Sequence, residues 1–317
     1  MKKYMILILL LAALAALAGC GRGSKEQAQA LEGNAPATED VLTENALVPT
    51  AETAITLLQY CDGSITLRFS LDTASGAWRW VDEPAFPLDG TKVDEVITAL
   101  TELGQLQKVV SAGEPDLYGL GDPRRYLTLK GETVDGTMYI GNQAEDGSWY
   151  ASIEGYGDVY ILPDTFVQLL SRSIYDMAVL PTPPAFAPEN LLSVTVESDD
   201  NRVYMNQVDG QWKSVSEQVA SRAEEVVNTL GTLQLSKCFD YLPSQQALHL
   251  TGFSDPTATI TVEYLNSVNV ESSFSITLGA LRSAEEGYYA TINDDSTIYL
   301  IPSTQVSPLL VLLIYAK

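Results

Sequence analysis

The same landmarks occur twice along this chain, in the same order and at nearly constant separation. Trp78 recurs as Trp212, 134 residues on. Gly119-Leu120 with Asp122-Pro123 recurs as Gly252-Phe253 with Asp255-Pro256, 133 residues on. Leu127 and Leu129 recur at that same separation as Ile260 and Val262. Ile140-Gly141 matches Leu278-Gly279 at 138, and Tyr150-Ala151 matches Tyr289-Ala290 at 139. Val159-Tyr160-Ile161-Leu162-Pro163 matches Ile298-Tyr299-Leu300-Ile301-Pro302 at 139, and Ile174-Tyr175 matches Ile314-Tyr315 at 140. The separation drifts upward along the later landmarks, as loop insertions in the second copy would make it do. Such a chain is expected to fold as one domain-sized unit made twice.

Each unit reads as strands, a helix, then more strands. Ile65–Phe69 and Val194–Glu197 alternate apolar and polar residues with the period of a strand. Val203-Tyr204-Met205 runs into Asp209-Gly210, a hairpin turn signal, before Trp212 opens the next strand. Trp78-Arg79-Trp80 takes that part in the first unit. Val93, Val96, Ile97, Leu100 and Leu103 fall at helical spacing, with Asp94 and Glu95 suited to the first turn. Val226, Val227, Leu230 and Leu233 give the second helix. Strands are expected at 126–130 and 257–264, and around 138–140, 149–153 and 159–162, with a closing helix from Pro163-Asp164 through Leu170. The order predicts an α+β fold: two tandem repeats of an antiparallel sheet with packed helices.

Ahead of the repeats, Met1-Lys2-Lys3, the apolar run Tyr4–Leu17 and Leu17-Ala18-Gly19-Cys20 have the layout of a secretory leader. The run is short of the roughly 20 apolar residues of a spanning helix, which is the competing reading. Leu17–Cys20 resembles the lipobox of bacterial lipoproteins. That resemblance implies cleavage before Cys20 and acylation of its thiol, each buried methylene adding about 0.8 kcal/mol of anchoring. From Gly21 the chain is polar, Ala-rich and without an aromatic residue to about Ala51, which predicts a flexible tether. Its reach would be about 30 Å by random-coil scaling. The expected organisation is a leader at 1–19, a lipidated Cys20 with a disordered tether at 20–52, unit 1 at 53–180, a stiff proline-rich connector at 181–189 and unit 2 at 190–317.

The formal charge is −23, and loss of Lys2 and Lys3 with the leader takes it to −25. Such a surface repels nucleic acid and anionic headgroups and attracts cationic partners, although solubility alone accounts for it as well. Cys61 and Cys238 are the other cysteines. They stand at non-matching places in the repeat and are expected as buried thiols, in a compartment that would permit a disulfide.

The Gly-x-x-Asp-Pro turn is expected to be structural in both units: Gly119 and Gly252 supply positive φ. Asp122 and Asp255 would bond backbone amides ahead of Pro123 and Pro256. Tyr118-Gly119-Leu120-Gly121-Asp122-Pro123, Ile140-Gly141, Trp149-Tyr150-Ala151 and Val159-Tyr160, taken in order, resemble the bacterial domain-of-unknown-function family numbered 4340. The second copy departs from that pattern, with Thr251 and Phe253 in place of Tyr118 and Leu120. The resemblance implies two tandem copies over nearly all of residues 55–317. It also implies an envelope lipoprotein, since proteins similar to this are typically such, and some accompany ABC-type export or gliding machinery.

No catalytic constellation emerges. His249 is the sole histidine and its counterpart is Asp116, so a surface or capping role outweighs a catalytic one. Asp199-Asp200, Glu285-Glu286 and Asp294-Asp295 follow no calcium-loop spacing and read as solvated turns. A carboxylate-pair hydrolase would need two of them about 5–9.5 Å apart in a cleft. No metal or cofactor is expected. Trp78, Trp80, Trp149 and Trp212 are candidates for stacking on a ligand, against the commoner role as core or half-buried sheet residues. The function expected is a non-catalytic, lipid-anchored, extracytoplasmic envelope protein. It would be attached to the cell membrane, or to an outer membrane where the host has one, and serve as an interaction or accessory subunit of a surface or transport complex. The alternative is a solute- or glycan-binding lipoprotein with a groove between the units.

Overall fold

A computed structural model of the chain describes residues 38–43, 47–50, 53–109, 112–199, 201–293 and 295–316. The leader, Cys20 and most of the expected tether lie outside these residues. The first half holds β1 (Thr38–Thr43), β2 (Ile55–Asp62), β3 (Thr66–Asp72), β4 (Ala77–Trp80), helix α1 (Gly90–Glu102), β5 (Leu106–Val109), β6 (Arg125–Gly131), β7 (Asp135–Gln143), β8 (Trp149–Ile153), β9 (Val159–Leu162) and α2 (Asp164–Leu169). Its antiparallel sheet has the order β1-β5-β9-β8-β7-β6-β2-β3-β4. The second half holds β10 (Leu191–Glu197), β11 (Arg202–Val208), β12 (Gln211–Ser214), α3 (Glu217–Ala220), α4 (Ala223–Gly231), β13 (Lys237–Asp240), α5 (Gln245–Leu250), β14 (Ala258–Leu265), β15 (Glu271–Ser283), β16 (Gly287–Ile292), β17 (Ile298–Ile301) and α6 (Ser303–Leu310). Its order is β12-β11-β10-β14-β15-β16-β17-β13, which is the order of the first sheet without β1. The α+β fold of two packed sheet units is therefore what the repeat predicted. Short 3₁₀ turns, Ile174–Met177 and Val311–Tyr315, close the two halves.

Local sequence explains the main elements. Asp89 caps α1 by accepting from the Thr91 amide at 3.1 Å, which satisfies an otherwise orphan donor of the first turn. Val93, Val96 and Leu100 then share one buried stripe against Leu58, Phe69, Leu127 and Met138 of the sheet. In the second half Val226, Val227 and Leu230 of α4 and Val306 and Leu309 of α6 cover Val194, Met205, Ile260 and Ile276. Asp94 and Glu95 sit past the first turn of α1, which contains no acid; both serve tertiary contacts instead. Asp209 and Gly210 take φ of 53° and 74° between β11 and β12, the left-handed pair of a tight hairpin turn.

Two boundaries move. The expected tether reached residue 52, but β1 pairs antiparallel with β5, Thr43 opposite Leu106 and Leu42 opposite Gln107. Leu47 is 2 % exposed in the first core. The backbone of β1 covers the edge of β5, and Leu47 finds apolar surface worth about 1.5–3 kcal/mol to a buried aliphatic side chain. Phe186, placed in the connector, belongs to the second core, with ring centroids 5.3 Å from Tyr264 and 5.6 Å from Phe274. Leu47-Val48-Pro49 and Phe186-Ala187-Pro188 are thus counterparts, 139 residues apart, and each half begins with a plug residue ahead of its first core strand.

Candidate interaction grooves and family

The duplicated turn proves to be half of a device. Gly119 and Gly252 take φ of 71° and 87°, where a side chain is strained. A Cβ on Gly119 would collide with Asn142, and one on Gly252 with the backbone of Ala280. Conversely, a Cβ on Gly141 would strike the Tyr118 carbonyl, and one on Gly279 the Thr251 carbonyl. The Ala280 amide donates to that Thr251 carbonyl at 2.8 Å. Gly141 and Gly279 sit where the pairing of β7 with β8, and of β15 with β16, shifts register. Each loop therefore seats its backbone in a bulge, and all four glycines make room for it. Asp122 and Asp255 are exposed, and among the described residues neither makes the side-chain bond to a backbone amide expected of it. Pro123 and Pro256 are half-buried beside them.

The four tryptophans do not converge. Trp78 is buried, and its Nε1 donates to Asp94 Oδ1 at 2.8 Å. Trp149 Nε1 donates to Asp164 Oδ1 at 2.9 Å, while the Arg125 guanidinium lies 5.0 Å over its ring. Trp212 packs half-buried on the second core. Trp80 meets Phe86 edge to face at 5.4 Å, and its buried Nε1 finds no acceptor among the described residues. Trp80 lines a cavity of a size that a ligand would use.

That cavity, about 410 Å³, lies within the first half between β2, β3 and the segment 170–175. Tyr60, Leu67, Trp80 and Tyr175 line it, with Asp62, Asp82 and Arg172 among them. Tyr60 donates its hydroxyl to Met177 Sδ at 3.3 Å, and burial pushes that hydroxyl well up from its ordinary range. Arg172 is held by Glu95 at 2.6 Å; bonds from Lys92 and then Arg172 keep the Glu95 carboxyl below its usual value.

The second half has a cavity of about 460 Å³ at the same place. Strand registers make the counterparts explicit: Phe69 pairs with Leu58 and Trp80, as Met205 pairs with Val194 and Ser214. Ser214 thus stands for Trp80, Val203 for Leu67 and Tyr315 for Tyr175. The lining is Arg202, Tyr204, Val215, Ser216 and Tyr315 together with Val203, Ser214, Val219 and Ala316, with no acid in it. Val215 is 99 % exposed and Tyr204 47 %. The sequence reads Val203 and Tyr204 only as strand residues and Tyr315 only as a repeat landmark; nothing in their spacing groups them as a site.

Beside the first groove the two halves meet. Tyr175 donates its hydroxyl to Asp240 Oδ1 at 3.1 Å, and Lys237 Nζ lies 2.7 Å from Asp176 Oδ1. Tyr241 sets its ring edge to face on Phe86 at 5.3 Å and donates to the Ala85 carbonyl at 3.2 Å. Burial pushes the Asp176 carboxyl up, but the bonds from Lys237 and Ser173 outweigh it and hold it below its ordinary value.

The remaining candidates lie on several different elements. His249 is exposed in the last turn of α5, with Nδ1 3.3 Å from Ser254 Oγ. Asp295 accepts from the Thr297 amide and the Tyr299 hydroxyl, and Glu286 pairs with Arg282. Cys61 and Cys238 are buried free thiols. Burial, then Asp240 and Asp295, pushes Cys238 up to about 12, so it is protonated at neutral pH and a poor nucleophile.

Residues 78–250, more than half of the chain, match the family described as domain of unknown function (DUF4340). The chain belongs to this family. The match starts in β4 and ends in α5, so it runs across the join between the halves. No curated protein and no solved structure matches the chain.

Proposed function

We propose that this DUF4340 protein is a non-catalytic, lipid-anchored component of the bacterial cell envelope, built from two tandem copies of one module. In this reading it holds a protein partner as an accessory subunit of a surface or transport complex. The observation that carries the reading is the open groove of the second half. Exposed Val215 and Tyr204 line it, and Ile314 close by in sequence is exposed where its counterpart Ile174 is buried. Apolar groups gathered at a polar-rimmed groove mark an interaction surface. The shared strand order supports the tandem-copy reading, and the lipobox ending at Cys20 supports the anchor and the extracytoplasmic location. The strongly negative charge argues against nucleic acid as the partner.

The test is in-cell crosslinking of the full-length protein, then co-purification and mass spectrometry. A reproducible envelope partner lost on Val215→Asp supports the reading. Absence of any partner in an abundant, folded protein overturns it. Metabolic labelling with a fatty-acid analogue tests the anchor: wild type is labelled and Cys20→Ala is not, and a labelled mutant sinks that part.

The first-half groove favours a second reading, solute or glycan binding. Its volume suits a small ligand, and Trp80, Tyr60 and Tyr175 offer ring faces or edges. It lies within one half rather than between the two. A glycan and small-molecule screen, with Trp80→Ala as control, decides this.

A further inference from the structure

We propose that the second-half groove binds an extended peptide segment in which a carboxylate neighbours an aromatic side chain. This rests on the reading above that the chain holds a protein partner, and names the chemistry by which the partner is recognised.

The fold already contains one such complex. At the end of the first half, Tyr175 donates to the Asp240 carboxylate, and the next residue, Tyr241, lays its ring on Phe86 and bonds the Ala85 carbonyl. An Asp-Tyr pair in an extended segment is therefore what this edge of the module accepts. The second half presents the corresponding edge, with Val219 and Ala220 at the places of Ala85 and Phe86, and among the described residues no Asp-Tyr segment packs against it. Tyr315, the counterpart of Tyr175, accepts a hydrogen bond from Arg222 Nη2 at 3.3 Å, and the guanidinium sits 5.3 Å over its ring. Its own hydroxyl hydrogen is left to donate, as that of Tyr175 donates to Asp240.

Charge points the same way. In a chain of net charge −23, this groove is lined by Arg202 and no acid, whereas Asp62 and Asp82 line its first-half counterpart. Among the described residues Arg202 has no carboxylate within ion-pair distance; Arg222 is shared with Glu225 at 2.9 Å. A carboxylate entering here meets the Tyr315 hydroxyl and the Arg202 guanidinium, and charge-assisted bonds of this kind are the strong ones. Exposed Val215 and Tyr204 give a neighbouring ring an apolar wall. β12 ends its sheet, so an extended segment also finds unpaired backbone along its outer edge.

The test uses a fluorescein-labelled peptide copying residues 235–243 of this chain, with serine at the Cys238 position, titrated by fluorescence anisotropy into the purified chain carrying Cys20→Ala. Saturable binding is expected, weakening as salt rises. Asp240→Asn in the peptide, or Arg202→Glu in the protein, is expected to weaken it on the order of tenfold, the loss of one charge-assisted bond. Tyr315→Phe should weaken it by a smaller factor. Arg202 and Val215 are exposed, so Arg202→Glu and Val215→Asp should keep the wild-type circular dichroism. No saturable binding, or equal binding to the Arg202→Glu chain, overturns the proposal. A photo-crosslinker at Val215 in cells separates the two claims. A partner crosslinked through a segment with no carboxylate–aromatic pair sinks the peptide chemistry and leaves the interaction reading standing. No crosslink at Val215, in a protein that still co-purifies with a partner, moves the interaction off this groove and overturns the proposal alone.

Discussion

Ile174-Tyr175 and Ile314-Tyr315 close their halves at the same point of the same strand order, in different surroundings. Ile174 is 9 % exposed and Ile314 is 76 % exposed. Tyr175 reaches across to Asp240, while Tyr315 keeps its bond with Arg222 of its own half. What differs is what the chain supplies next. After the first half the connector leads into a second sheet, whose β13 segment comes to rest against that end. At the opposite edge, β1 covers β5. Among the described residues, the end of the second half carries exposed Ile314, Val215 and Tyr204.

Four measurements break or sharpen this comparison. The largest effect is expected where the halves are the same. Gly119→Ala and Gly252→Ala each impose a side chain at positive φ against backbone or a packed amide, and should each cost about 2–4 kcal/mol in urea denaturation. Gly155, also at positive φ but with open space around it, should cost only about 1 kcal/mol on the same change. If Gly119 and Gly252 differ by more than that, the two loops are not one device. Next, Tyr241→Ala removes a ring contact and a hydrogen bond between the halves and should cost about 2 kcal/mol. Tyr315→Ala, which removes the Arg222 contact and a half-buried ring of the second core but no contact between the halves, should cost less, about 1 kcal/mol. Equal losses would mean that the second end is not free.

Third, Trp78→Phe deletes the bond to Asp94 and should cost about 1 kcal/mol. Trp212→Phe deletes no indole bond of the described residues and should cost less. The smallest effect is in pH. Asp176 has its pKa lowered in the fold, so its pairing with Lys237 contributes stability above the ordinary carboxylate pKa of about 3.9. That contribution disappears as pH falls through the lower folded value. Asp176→Asn should flatten the acid limb of the stability curve, and an unchanged limb would show that this pair does not matter to the join.

Much of the fold was legible. Trp149–Ile153 and Val159–Leu162 are strands at the expected residues, α1 carries Val93, Val96 and Leu100 on its buried stripe, and the Asp209-Gly210 hairpin forms as its sequence says. The short strands β5 and β13 went unread because four residues carry too little periodicity to separate a strand from a loop. β2 was passed over although Ile55–Asp62 is largely apolar, since its alternation is broken by adjacent Leu57 and Leu58. β1 lies in a polar segment whose pairing is decided by the edge waiting for it. Of the groove residues, Trp80 was in view only as one of four tryptophans, and Arg202, Val215 and Tyr315 were not grouped at all.

The division has a physical cause. By itself the sequence determined the repeat, the strand and helix periods and the glycines that both turns require, because these are constraints of local backbone geometry and side-chain spacing. Only the tertiary structure decided which loop backbone each bulge receives, that Phe186 and Leu47 are core plugs, and that Ile174 is buried where Ile314 is exposed. Those outcomes depend on packing between residues separated by tens of positions in the chain, and burial at such contacts is set by what arrives from elsewhere in the chain rather than by the neighbours in sequence.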